Sequence, residues 1–70
     1  MTKTAKQSAR RILKVLRDRG VQQNHDGQLI WLLEAFAGRP WTLRDLRRGL
    51  TYALDQDWIR GNGERITRLL

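Results

Sequence analysis

Apolar residues recur every three to four positions over the first twenty residues of the chain, which is the spacing of one helical face. At about 100° per residue, Ala5, Ala9, Ile12, Leu13, Val15 and Leu16 share that face. Lys3, Lys6, Arg10, Lys14 and Arg17 share the opposite one. The pattern predicts a first helix over residues 5–19. Thr4 followed by Gln7 is a capping-box pair for its start. Gly20 supplies the left-handed residue that ends a helix, with Val21 placed to fold back on Leu16. Residues 21–27 read as a loop, with Asn24 or Asp26 positioned to cap the next element.

A second helix is predicted over residues 28–37. It is apolar nearly all round, broken only by Glu34, and such a helix is expected at the centre of a fold. Gly38 ends it and Pro40 prevents its continuation. A third helix is predicted over 42–57. Thr42 and Asp45 form a capping box, with Trp41 and Leu46 at the hydrophobic-staple positions. Leu43, Leu46, Leu50, Ala53 and Leu54 then hold one helical phase. Gly49 interrupts it at a cost of about 1 kcal/mol relative to Ala, which suggests a close helix contact or a break, and the unbroken phase favours one helix. Residues 58–69 read as a hairpin around Asn62-Gly63, because type I′ turns need two residues at positive φ. That register sets Arg60 opposite Arg65, Ile59 opposite Ile66 and Trp58 opposite Thr67. The expected class is mainly α, three helices followed by a C-terminal β-hairpin in one domain over residues 1–70.

Length and composition narrow the chemistry. A chain of 70 residues without cysteine has no disulfide and no thiolate metal site, and buries only about 60% of its unfolded surface. The opening Met-Thr-Lys-Thr-Ala-Lys carries no apolar run, so no secretory leader is expected there. The longest apolar run, 29–33, is far below the roughly 20 residues of a membrane span. A cytoplasmic protein that avoids membranes is the expectation. One histidine, one serine and no close carboxylate pair in an apolar setting point away from an enzyme, and no metal or cofactor is expected. His25 stands alone in a polar loop, and Gly61-Asn62-Gly63 lacks the helix and Lys-Ser/Thr pair of a phosphate loop.

Charge changes the picture most. The net charge is +7, and eleven of the fourteen basic residues are arginine. Residues 1–20 carry +6, residues 21–38 carry −2 and residues 39–70 carry +3. A weakly acidic middle between basic ends suggests a buried centre with cationic outer faces. The stripe of Lys3, Lys6, Arg10, Lys14 and Arg17 contains no acid to pair with, so its repulsion favours a polyanionic partner. The third helix presents Arg44, Arg48, Thr51, Tyr52 and Asp55 away from its apolar face, with Arg47 at the border. Arginine, threonine and tyrosine reach base edges and phosphates. Arg60 and Arg65, paired near a hairpin tip, contribute nothing to a core. Of the three tryptophans, Trp31 points furthest from the Leu29, Leu33 and Phe36 centre of its helix. It packs under the hairpin or serves as a contact for a protein partner.

Three helices followed by an arginine-tipped hairpin resemble a winged helix-turn-helix domain. The local likeness runs over residues 50–70, through Ala53-Leu54, Asp57-Trp58-Ile59, the glycine turn and Ile66-Thr67. The resemblance implies that the third helix enters the major groove of double-stranded DNA, with Arg44, Arg48 and Tyr52 facing bases or backbone. It implies that the hairpin is the wing, with Arg60 and Arg65 on adjacent phosphates or in the minor groove. A first strand between the first two helices also belongs to that pattern, and Val21-Gln22-Gln23 is the candidate for it. The leading expectation is a small DNA-binding transcriptional regulator, with double-stranded DNA and a second copy of the chain, as a homodimer, for its partners. The alternative is a non-enzymatic adaptor or inhibitor of the same shape that docks on an acidic protein surface.

Overall fold

Both capping boxes form as their residue types dictate. In the computed structural model, which describes residues 4–70, helix α1 spans Ala5–Asp18. Thr4 Oγ1 accepts from the Gln7 N–H at 3.1 Å, and Gln7 Oε1 accepts from the Thr4 N–H at 2.9 Å. At the other end the Gly20 N–H donates to the Arg17 carbonyl and the Val21 N–H to the Leu16 carbonyl, both at 2.9 Å. With Gly20 at φ +82° this is a complete Schellman cap, and it buries Val21.

Helix α3 spans Leu43–Asp55 and opens on the Thr42–Asp45 box. It stops two residues short of the predicted end. Asp57 takes the left-handed position at φ +59°, and the Trp58 N–H closes on the Ala53 carbonyl at 2.8 Å. The aspartate does what glycine does at the end of α1. Trp41, before the cap, meets Phe36 edge-on at 5.2 Å between ring centroids. The Arg39–Pro40 peptide between α2 and α3 is cis.

The first of three corrections concerns the segment read as a loop. Strand β1, Asp26–Gln28, lies between α1 and α2. Val21-Gln22-Gln23 does not supply it. The other strands are β2, Ile59–Asn62, and β3, Arg65–Arg68, and all pair antiparallel in the order β1-β3-β2. The architecture is therefore three helices with a small three-stranded sheet. Three residues without alternating hydrophobicity carry no strand signal of their own; β1 exists because the free edge of β3 offers it partners. Gly27 pairs with Ile66, and its missing side chain matters. A Cβ there would lie 2.6 Å from Leu16 Cδ2 and 3.1 Å from Val21 Cγ2.

The second correction is the hairpin register. Ile59 faces Arg68, Arg60 faces Thr67, Gly61 faces Ile66 and Asn62 faces Arg65. The two-residue loop is Gly63-Glu64, not Asn62-Gly63. Only Gly63 has positive φ, at +63°, as the first central position of a type II′ turn requires. Shifting the pairing by two residues keeps Ile59 and Ile66 on the core face. It also separates Arg60 from Arg65, which removes the like-charge pair the other register imposes.

The third correction is helix α2, Leu29–Phe36. Neither Asn24 nor Asp26 caps it. Gln28 occupies the cap position without a side-chain bond, while the Leu29 N–H donates to the Glu64 carbonyl at 2.8 Å. Asp26 Oδ1 instead accepts the Thr67 hydroxyl. The helix is not central. Leu32 and Phe36 are buried, but Ile30 and Leu33 are 48% and 38% exposed. Its core-facing side is centred on Leu32, about 70° round the axis from the centre the sequence suggests. Leu43 and Leu54 of α3 also stand outside the core, at 57% and 44% exposed.

The centre belongs to α1 against α3. Ala9, Ile12 and Leu16 of α1 and Ala53 of α3 are wholly buried, joined by Leu46. Ser8 is buried too, at 1% exposed. A Cβ on Gly49 would lie 2.8 Å from the Ser8 carbonyl carbon and 2.9 Å from the Ala9 nitrogen. The helices touch backbone to backbone at that point, and α3 runs unbroken through Gly49. Gly49→Ala gains helix propensity of about 1 kcal/mol, yet the overlap is with main-chain atoms that cannot swing aside. We expect a net loss of about 1–3 kcal/mol, measured as a lower denaturant midpoint at unchanged slope. A midpoint equal to or above that of the unmodified chain contradicts the close contact.

Candidate nucleic-acid interface

Because Gly49, Leu46 and Ala53 face inward, helical geometry turns positions 44, 47, 48, 51, 52 and 55 outward. Arg44, Arg47, Arg48, Thr51, Tyr52 and Asp55 line one shallow depression, closed at one side by Ala5 at the start of α1. The six residues read on this helix face, Arg47 at its border included, are thus brought together. Tyr52 is half-buried and held edge-on against Trp58 at 5.4 Å, which fixes its ring at the boundary between α3 and the sheet. The Thr51 hydroxyl donates to the Arg47 carbonyl at 3.1 Å, so its proton is engaged by the helix and its oxygen remains an acceptor.

Among the described residues the one ion pair is Arg19–Glu34, at 3.4 Å and exposed on both sides. Arg44, Arg47 and Arg48 therefore have no carboxylate within 4 Å there, although Asp55 shares their depression. Arg44–Arg48 and Arg44–Arg47 are like-charge pairs one turn apart, each costing about 0.2–0.5 kcal/mol. An anion at this face would relieve that repulsion.

The hairpin arginines part company. Arg60 lies on β2, the strand beside α3, where Leu54 approaches Gly61. Arg65 lies on the central strand β3 between Gln28 and Asn62. It lines a separate groove with Gln28, Leu29, Ile30, Leu33 and Glu64. The turn does not project as an arginine tip; its Glu64 carbonyl is tied to the first amide of α2. Arg68, which sequence reasoning passed over, is half-buried and donates from Nη1 to the Val21 carbonyl at 3.0 Å, binding β3 to the end of α1.

Lys6, Arg10, Lys14 and Arg17 are exposed along α1, as expected; Lys3 lies outside the described residues. They do not join the α3 face. Ser8 and Ala9, which meet Gly49, stand on the side of α1 away from this stripe. Arg44, Arg48 and Thr51 likewise stand on the side of α3 away from Gly49. Arg10 and Arg17 instead share a depression with Leu13, Trp58 and Leu70, and Arg10 and Lys14 another with Gln7, Arg11 and Trp41. Trp31 is half-buried, beside the space a Gly27 Cβ would need. The Arg19 guanidinium lies 5.3 Å above its ring. The exposed apolar residues of α2 are Ile30 and Leu33, which a wheel centred on Leu32 and Phe36 would have revealed.

Compared with models of known protein families, with curated proteins and with solved structures, the chain matches none of them. Among the described residues no helix is long and apolar enough to cross a membrane.

The geometry of Thr51 is open to a simple check. Its hydroxyl only bonds back to its own helix, an arrangement that adds little to a helix interior. Thr51→Ala should leave the thermal midpoint unchanged or raise it, by no more than about 0.7 kcal/mol in stability. A drop in the midpoint would show that the hydroxyl holds the fold.

Proposed function

We propose that the chain is a non-enzymatic, winged-helix-like domain that binds double-stranded DNA through the outer face of α3, in the manner of a small transcriptional regulator. One observation carries the reading. Arg44, Arg47 and Arg48 surround a single depression with Thr51 and Tyr52, on a firmly capped helix, with no carboxylate within 4 Å among the described residues. Arginine forks bind phosphate oxygens and guanine edges in bidentate fashion, and a helix of 13 residues is long enough to lie along a major groove. The order helix, strand, two helices, then two strands supports the resemblance noted in the sequence, including the first strand it calls for. In this reading Arg60 extends the contact to a neighbouring phosphate. The hairpin is a short wing, and Arg65 takes no part.

A second reading, an interaction module for an acidic protein surface, is favoured by the exposed Ile30 and Leu33 beside Arg65. The partner then sits on α2 and leaves α3 free.

Titration with a duplex at rising salt separates them. Four phosphate contacts, from Arg44, Arg47, Arg48 and Arg60, give a slope of log K against log salt of about −3.6. Arg48→Gln should weaken binding at every salt concentration and make the slope shallower by about 0.9. Absence of duplex binding at low salt overturns the DNA reading.

A further inference from the structure

We propose that the outer face of α2 is where two copies of this chain meet, in a two-fold contact centred on Ile30 and Leu33. The inference stands apart from the DNA reading. It seats a second copy where the other reading seats a foreign acidic protein. Helical spacing draws the patch. With Leu32 and Phe36 turned into the core, positions 30, 33 and 37 line up along the outside of the helix at intervals of three and four residues. Ile30, Leu33 and Ala37 are all exposed there, where a surface helix ordinarily carries polar side chains. The stripe forms one wall of the groove that Gln28, Glu64 and Arg65 close from the sheet.

The other exposed aliphatic side chains are scattered. Leu43 opens α3, Leu54 lies beside Gly61, and Leu70 lines the depression of Arg10 and Arg17. Among the described residues, Ile30 and Leu33 are the two large exposed ones that stand one turn apart on a single helix. Single exposed leucines are ordinary on a surface, whereas adjoining ones at the lip of a groove mark a contact.

Charge identifies the occupant. Two chains of net charge +7 repel each other unless they meet where the charge is lowest. The depressions of α1 and α3 offer no such place. Arg10, Arg11 and Lys14 line one, and Arg44, Arg47 and Arg48 line another with Asp55 alone against them. Arg10 and Arg17 line the depression beside Leu70. The α2 groove instead has one base and one acid, Arg65 and Glu64, and residues 21–38 sum to −2. An acidic protein gains little from a groove whose charges cancel. A second copy gains more, because a two-fold axis sets the patch against itself. Each copy then brings an apolar stripe to the other's stripe, and a rim carrying both signs to the other's rim. Glu34, on the far rim, is already balanced by Arg19 at 3.4 Å. Stable interfaces bury about 800 Å² on each partner. One helix of eight residues and one turn offer less, so the dimer forms between about 10 µM and about 1 mM.

Sedimentation equilibrium of the full chain over that range, without DNA, reads the association. The mass should rise from 8.2 kDa toward twice that value. Ile30→Glu should raise the dissociation constant at least about tenfold, because a charge replaces an aliphatic side chain at the contact. An acid suits the first turn of a helix and position 30 is exposed, so the dilute variant should melt with the parent. A second measurement needs no variant. In a mixture of isotope-labelled and unlabelled chains, interchain cross-peaks should join the methyls of Ile30 and Leu33. A mass of 8.2 kDa across the whole range overturns the proposal. Association untouched by Ile30→Glu, or interchain cross-peaks at Leu43, Leu54 or Leu70 instead, places the contact on another face and overturns it too. Duplex binding is read in a separate titration, so its failure leaves the dimer standing and a monomeric chain leaves the α3 reading intact.

Discussion

The close approach of α1 and α3 at Gly49 governs the molecule. With no side chain between them, the α3 backbone rests within van der Waals distance of Ser8 and Ala9, and Ile12, Leu16, Leu46 and Ala53 fill the space on either side. That contact fixes the rotation of each helix about its own axis. Once Gly49 faces inward, Arg44, Arg48 and Thr51 have nowhere to point but outward. Once Ser8 and Ala9 face inward, Lys6, Arg10 and Lys14 point outward from α1. The distribution of charge over the surface follows from one steric constraint in the core.

The small sheet serves a different purpose. Its inner row, Gly27–Ile66–Gly61, places one large side chain between two glycines, so the sheet lies close over Leu16, Val21 and Leu54. Its outer rows are polar: Asp26, Thr67 and Arg60 in one, Gln28, Arg65 and Asn62 in the other. The sheet closes the core and ties the ends of the fold together through the Arg68–Val21 and Leu29–Glu64 bonds. It positions Arg60 beside α3 and draws Arg65 toward α2. The interface we propose is accordingly a helix face with one flanking strand, rather than a helix with a projecting wing.

Local signals made much of this legible in the sequence. Both capping boxes, the Gly20 cap and the inward face of α1 depend on residues within one or two turns of each other, and each forms where the residue types require. Gly49 announced a contact because glycine inside a helix needs a reason. Features that depend on distant partners were hidden. Strand β1 has no pattern of its own and exists by pairing with β3, forty residues away in the chain. The hairpin register turned on whether Asn62 or Glu64 accompanies Gly63 in the turn, and pairing of Ile66 with both Gly27 and Gly61 decided it. The phase of α2 was misjudged because a helix apolar nearly all round gives its wheel little contrast. For the site, the members of the α3 face were readable from helical spacing, whereas the approach of Ala5 to that face was not. That approach depends on how two helices cross when they meet.

Amide chemical-shift mapping during titration with a short duplex tests this account most directly. The account predicts that the duplex moves amides along α3 and in β2 around Arg60. Shifts confined to α2 and the Gly63-Glu64 turn would contradict it.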